Sequence, residues 1–253
     1  MLKVHTVKCL QDNYSYVIHN ESTNLVGVVD PSEFYPIDTF VKKNFNKLDF
    51  ILNTHHHLDH TGGNLELKEK YKSQIIGSKK DEKRIPGIDI AFRDNETFKF
   101  GNINFKIILV PGHTSGHICF FSNKEKIIFT GDTLFSLGCG RVFEGTYTQM
   151  IDSLNLIKKL PGDTLIYCGH EYTKKNLEFC MQYENNESLI KKKKWISDRL
   201  IKNLPTIPVT INEELQTNIF LRCDLDIVKK KLNMLNADEV SVFKKLRDLK
   251  DSY

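Results

Sequence analysis

Alanine occurs only twice in 253 residues, at Ala91 and Ala237, and tryptophan once, at Trp195. With lysine, asparagine and isoleucine abundant, that scarcity is a compositional bias and excludes no fold. The six cysteines (Cys9, Cys119, Cys139, Cys168, Cys180, Cys223) lie far apart with no C-x-x-C pair. Such spacing argues against a thiolate zinc site, and a disulfide scaffold is not expected in a chain this long. Free thiols in a reducing compartment are the simplest reading. No apolar run approaches the roughly 20 residues a membrane-spanning helix needs. The opening "MLKVHTVKCLQDNYSYVIH" has neither a signal-peptide core nor an arginine-rich presequence. Charge of one sign is not in excess either: the net charge is +4, whereas a nucleic-acid binder more often gathers a steep basic imbalance into one stripe. The expectation is a cytoplasmic protein without nucleic-acid or membrane partners, a monomer or weak homo-oligomer.

Apolar residues make up 40% of the chain, 10% of it aromatic, enough for a substantial core. The first two-thirds reads as strands with inserted helices. "LKVHTVK", "NYSYVIH" and "LVGVVD" are β-rich runs separated by turn residues, and "DFILNT" is a further apolar strand. Residues 36–46 and "GGNLELKEKYK" have helical composition. "ETFKFGNINFKIILV" predicts a hairpin turning near Gly101-Asn102, and "HICFFSNKEKIIFT" another turning at Asn123-Lys124. "TQMIDSLNLIKKL" predicts a helix with Thr148 as N-cap, and "TLIYCG" a strand. Past His170 the pattern becomes long, charged and helical. The last segment, "NADEVSVFKKLRDLKD", begins with a capping signature, Asn236 with Glu239. The expected division is an α+β domain over residues 1–173 and a helical, substrate-binding domain over residues 174–253.

What is concentrated is histidine. Of nine histidines, four fall in the six positions of "HHHLDH", residues 55–60. Side chains two apart on an extended chain point the same way, so His55 and His57 can converge on one ion while His56 faces elsewhere. Asp59 and His60 follow as the chain turns, and can hold a second ion nearby. An isolated H-x-H is usually no ligand at all. Three further segments nevertheless share the form of an apolar strand ending in glycine and a ligand type: "IILVPGHTSGH" with His113, "KIIFTGDTLF" with Asp132, and "LIYCGHEY" with His170. Each would deliver its residue to the same sheet edge, which makes the combination far more specific than any one motif.

In this order "THHHLDHTGG", "PGHTSGH", "GDTLF" and "GHEYT" resemble the signature of the metallo-β-lactamase fold. The resemblance implies an αββα sandwich with a C-terminal helical domain here, and a binuclear site at one edge. His55, His57 and His113 would hold one metal, Asp59, His60 and His170 the other, and Asp132 would bridge them. Two divalent ions per chain are implied, about 3.5 to 4 Å apart in two-metal hydrolases generally. Zinc is the first expectation, with iron and manganese compatible, since imidazole and carboxylate ligands suit all three. A hydroxide held between such ions is a nucleophile at neutral pH.

The fold does not name a substrate. "GDTLFSLGCGRVFEGT", "GHEYTKKNLEFC", "TIPVTINEELQTNIFLRC" and the terminal "FKKLRDLKD" together resemble the glyoxalase II family, the hydroxyacylglutathione hydrolases, over essentially the whole chain. That resemblance implies a thioester hydrolase cleaving S-D-lactoylglutathione to D-lactate and glutathione, the second step of methylglyoxal detoxification, with Asp59 orienting the hydroxide. Glutathione would be gripped by Arg141, Arg247 and Lys250, with Tyr172 offering its hydroxyl. Phe143 stands where the family commonly has tyrosine, leaving only its amide to donate, and Ile219 stands where proline is usual. Arg247 and Lys250 are expected to share a helix face opposite the stripe of Val240 and Phe243. The rival readings are a glutathione-persulfide dioxygenase, another hydrolase of the same fold such as an RNA-processing nuclease, and a non-catalytic binding protein. His117 is expected to be structural, His5, His19 and His56 to be non-ligands, and Lys191 to Lys194 to form a solvated face.

Overall fold

Period-two alternation in the strands builds the architecture. The computed structural model describes all of residues 1–253. Its first sheet runs in order through β1 (Leu2–Cys9), β2 (Asn13–Asn20), β3 (Leu25–Val29), β4 (Phe50–Leu52), β5 (Gln74–Ser78) and β6 (Ile90–Phe92). The first three strands pair antiparallel and the last four parallel. β7 (Thr97–Phe100), β8 (Ile103–Leu109), β9 (Ile118–Ser122) and β10 (Ile127–Gly131) form an antiparallel meander in the second sheet. A small hairpin follows, β11 (Leu134–Phe135) with β12 (Gly138–Cys139). β13 (Leu165–Cys168) then joins β10 in parallel, and β14 (Val209–Thr210) closes that edge.

The two sheets face each other. Tyr14, Tyr16 and Ile18 of β2 point inward against Phe105, Phe120 and Phe129, whereas Val17 of the same strand points outward. That outer face is covered by α1 (Phe34–Asn44) and by α3 (Asn64–Tyr71), through Ile37, Val41 and Leu67. Between them in sequence lies the one-turn α2 (Leu58–Thr61). In β9, Ile118 and Phe120 face the sandwich interior while Cys119 and Phe121 face the opposite core. There α4 (Tyr147–Lys158) packs together with the C-terminal helices α5 (Thr173–Tyr183), α6 (Glu187–Ile201), α7 (Ile211–Thr217), α8 (Asp226–Lys231) and α9 (Glu239–Asp251). Each fully buried large apolar side chain in these layers contributes about 1.5–3 kcal/mol of transfer free energy. The result is the expected αββα sandwich with a helical C-terminal part. No helix is long and apolar enough to cross a membrane.

Four local expectations are corrected. Helix α4 is capped by Thr146, not Thr148, because Thr146 accepts from the Gln149 amide while the Gln149 side chain accepts from the Thr146 amide. Asp238, not Asn236, caps α9 by accepting from the Ser241 amide. The lysine run in α6 is not wholly solvated: Lys192 is buried, with its ammonium 3.3 Å from Glu214. Arg247 lies on the buried side of α9, because it follows Phe243 by four residues and so sits one turn above it. Its guanidinium stacks 5.2 Å from the centre of the Phe220 ring.

Candidate metal centre

Both sheets deliver ligand-type residues to the same edge. His55 lies just past β4, Asp132 directly after β10 and His170 just past β13, while His113 lies in the loop between β8 and β9. Backbone bonds between the sheets fix this edge, Ile118 N–H to Thr54 O at 2.9 Å and Tyr14 N–H to Gly169 O at 2.8 Å, and within the second sheet Gly169 N–H bonds Gly131 O at 2.9 Å. Gly131 has φ of +47° and lets the chain turn into Asp132. Gly169 matters for room rather than for turning, since a Cβ there would run into Asp132 Oδ1 and the His60 ring.

The predicted residues come together in two groups. The ligand atoms of His55, His57 and His113 lie within 4.8 Å of one another, as do those of Asp59, His60 and His170. Asp132 stands between the groups, with Oδ2 3.5 Å from His113 Nε2 and 3.3 Å from His170 Nε2, and Oδ1 3.4 Å from His60 Nε2. Asp59 Oδ2 is 3.4 Å from His170 Nε2 and 3.6 Å from His60 Nε2. These separations are long for hydrogen bonds. They suit atoms arranged around an ion instead. Three of them, His55 Nε2, His60 Nε2 and Asp132 Oδ1, are buried with no hydrogen-bond partner, which is costly unless a cation satisfies them.

The second ring nitrogens of His55, His60, His113 and His170 are occupied, and here sequence reasoning missed several residues. Asp30 accepts from Thr54 N–H at 2.8 Å and from the Thr54 hydroxyl at 2.7 Å, and its Oδ2 lies 3.0 Å from His60 Nδ1. Asp30, His55 and His60 also cluster closely enough to hold an ion, but these bonds already engage the Asp30 carboxylate. Asp12 sits 2.8 Å from His170 Nδ1, Thr54 Oγ1 3.0 Å from His55 Nδ1, and the Arg141 carbonyl 2.9 Å from His113 Nδ1. Asn13 donates to Asp59 at 3.1 Å. Such partners fix ring orientation and tautomer at metal sites. The only sequence signals were an aspartate ending "LVGVVD" and one in the turn "LQDNY".

Burial lowers the pKa of His55 well below its usual value, and those of His57 and His113 less far, so these rings are neutral with a lone pair free. Burial also opposes charge on His60 and His170, but Asp132 and the neighbouring carboxylates outweigh it and raise them to about 10 and about 11. The carboxylates thus demand positive charge on that side, which a bound cation supplies in place of protons. His117 is structural: its Nε2 accepts from the Asp132 amide at 3.1 Å. His56 faces away, towards Asp81 and Glu144.

A cavity of about 860 Å³ opens from this edge to the helical part, lined among others by Arg141, Phe143, Tyr172, Lys175, Arg247 and Lys250. Tyr172 stacks on His170 with centroids 4.7 Å apart. Phe143 is exposed beside the His113 ring, and its amide donates to the His113 carbonyl at 3.4 Å. Arg141 is largely exposed, with Nε 3.3 Å from Asp251. Arg247 is buried, donating to the Cys139 carbonyl at 2.8 Å and to Asp251 at 2.9 Å. Lys250 donates to the Lys175 carbonyl at 3.1 Å, and burial with the neighbouring Arg247 lowers its pKa to about 8.

Comparison with known proteins gives two matching family models, the metallo-beta-lactamase superfamily over residues 11–170 and the hydroxyacylglutathione hydrolase C-terminus over residues 171–253. The chain is 51% identical to the hydroxyacylglutathione hydrolase of Pelagibacter ubique (strain HTCC1062), over 100% of both chains. It is 40% identical to that of Brucella ovis, over 100% of this chain and 98% of the relative. Among solved structures, ETHE1 from Myxococcus xanthus superposes with a TM-score of 0.67 at 22% identity, covering 98% of this chain and 96% of that one. At that identity the likeness concerns the fold alone.

Proposed function

Because the chain belongs to the hydroxyacylglutathione hydrolases of the metallo-β-lactamase superfamily, we propose that it hydrolyses S-D-lactoylglutathione and related 2-hydroxyacylglutathiones, with His55, His57 and His113 holding one divalent ion and Asp59, His60 and His170 a second. Asp132, standing between the two groups, would contribute to both. Support comes from the three buried ligand atoms without partners, His55 Nε2, His60 Nε2 and Asp132 Oδ1, which face the same edge. Zinc fits an all-nitrogen and oxygen donor set, as do iron and manganese. When bound, such ions supply Lewis acidity and lower the pKa of water from about 15.7 towards roughly 7.

The chain's own residues do the rest. The Asp59 carboxylate is partly exposed and is held by Asn13, so it accepts a hydrogen bond from the attacking water and aims it. Asp12, Asp30 and Thr54 keep the imidazoles from rotating. Glutathione carries two carboxylates, and Arg141 and Lys250 meet them at the far end of the cavity, with Arg247 adding charge behind. The Tyr172 hydroxyl donates to the peptide portion. The water oxygen forms a new C–O bond to the thioester carbonyl carbon as the C–S bond breaks. D-lactate is released as its carboxylate and glutathione as its thiolate, and the two protons of the water pass to solvent.

The same reading divides the chain into a metal-binding part, 1–173, and a substrate-binding part, 174–253. All six cysteines are free and buried, in keeping with a cytoplasmic location. Metal-loaded protein is expected to abolish the ultraviolet thioester absorbance of S-D-lactoylglutathione. An unchanged absorbance over hours at micromolar enzyme refutes the substrate assignment.

A further inference from the structure

We infer that the helical part of the chain positions the metal edge itself, through a buried polar clamp on the β11–β12 hairpin. The hairpin starts two residues after Asp132, and β12 ends two residues before Arg141. Nearly every polar group of its turn is held by a side chain from the C-terminal helical region. Glu214 of α7 accepts from the Leu137 amide at 2.7 Å and the Ser136 hydroxyl at 3.2 Å. Asn218, following α7, donates to the Phe135 and Gly138 carbonyls at 3.3 and 3.0 Å. Asn176 of α5 donates to the Ser136 carbonyl at 3.0 Å, and Arg247 of α9 to the Cys139 carbonyl at 2.8 Å. Glu214, Asn218, Asn176 and Arg247 are all buried.

From the clamp the path to the metal edge is short. Immediately past β12, Gly140 N–H bonds Thr133 O at 3.2 Å, the residue after Asp132. The next carbonyl, that of Arg141, lies 2.9 Å from His113 Nδ1. The hairpin therefore sets both the backbone beside Asp132 and the orientation of His113. Glu214 anchors the clamp because both its oxygens are used. Oε1 meets Ser136 and Lys192, while Oε2 meets Leu137 and Asn218. A glutamine there turns its NH2 onto one pair of donors and leaves them unpaired. Glu214 and Asn218 lie outside the cavity lining and Asn176 within it; all three act on the metal edge through the hairpin, so towards the ions they are positioning residues. This inference rests on His113 and Asp132 being metal ligands.

The test measures metal affinity directly, by competition with a chromophoric chelator, under conditions where circular dichroism shows every variant folded. Glu214→Gln is expected to weaken uptake of one of the two ions by up to about tenfold, the low end of the range for loss of a partner bonded to a ligand, because Glu214 acts through the hairpin. Asn176→Ala, which removes a single donor, is expected to shift affinity in the same direction and guards against a Glu214 variant that does not fold. Leu189→Ala, a buried truncation in α6 outside the clamp, is expected to lower thermal stability and leave metal affinity at the wild-type value. Wild-type affinity in both clamp variants, or an equal loss in Leu189→Ala, overturns the inference. A wild-type protein that takes up no metal instead overturns the functional reading beneath it.

Discussion

Lys250 gives the sharpest pH dependence. Its ammonium is half-buried, and burial together with Arg247 brings its pKa to about 8, with Lys175 adding to the shift and Cys180 and Glu178 opposing it. If the charged form binds a glutathione carboxylate, the apparent KM scales as one plus the ratio of neutral to charged lysine. That ratio grows tenfold per pH unit, so KM is expected to rise by about tenfold between pH 7 and pH 9, on the basic side only. The perturbation is Lys250→Arg, which stays protonated across this range and so flattens the rise. The assay is thioester hydrolysis with KM and kcat separated at each pH. The arginine variant also serves as the control for ionisation of the substrate's own amine, which acts equally on both proteins. A wild-type KM that is flat from pH 7 to 9, or a rise that persists unchanged in Lys250→Arg, refutes the assignment.

Asp30→Asn removes the charged partner of His60 Nδ1 and of Thr54, and is expected to weaken metal binding about 10–100-fold, read by chelator competition. Phe143→Tyr adds a hydroxyl at the cavity mouth, where residue 143 is exposed beside His113. One new hydrogen bond worth about 0.5–1.5 kcal/mol lowers KM by roughly 2- to 10-fold, with kcat unchanged in steady-state kinetics. Asp251→Asn removes the carboxylate that pairs with both Arg141 and Arg247. Freeing Arg141, the exposed one of the two, for the substrate is expected to lower KM by a factor of about 5 at most, since exposed pairs are worth up to about 1 kcal/mol. A raised KM in that variant means that Asp251 orients the arginines instead of competing for them.

Much of the site was legible because ligand types sit at strand ends. "DFILNT", "IIFTG" and "LIYCG" announce buried strands by apolar runs, and the residue after each is fixed in space by the sheet. Asp30 also follows an apolar strand, β3, but no glycine or histidine beside it marked it out, and Asp12 lies in a turn, where an outer-ring partner needs only proximity, which spacing along one segment does not encode. Capping was misread by two residues at both α4 and α9: Thr146 and Thr148, like Asn236 and Asp238, are equally good caps in isolation. The choice lies with where the chain enters the helix. The burial of Lys192 and Arg247 was illegible for another reason. Charged residues are mostly exposed, and only the tertiary arrangement of Glu214, Asp251 and the Cys139 carbonyl provides partners that overturn that rule. The hairpin after Asp132 entered the sequence reading only through the stretch "GDTLFSLGCGRVFEGT" and Arg141, and the structure adds that helices from the C-terminal part of the chain hold it.

The most direct test titrates metal-free protein with a divalent ion while following both bound metal and turnover of S-D-lactoylglutathione. The account predicts two ions per chain, with activity reaching its plateau only as the second is bound. One iron per chain, with oxygen uptake on glutathione persulfide and no thioester hydrolysis, contradicts it.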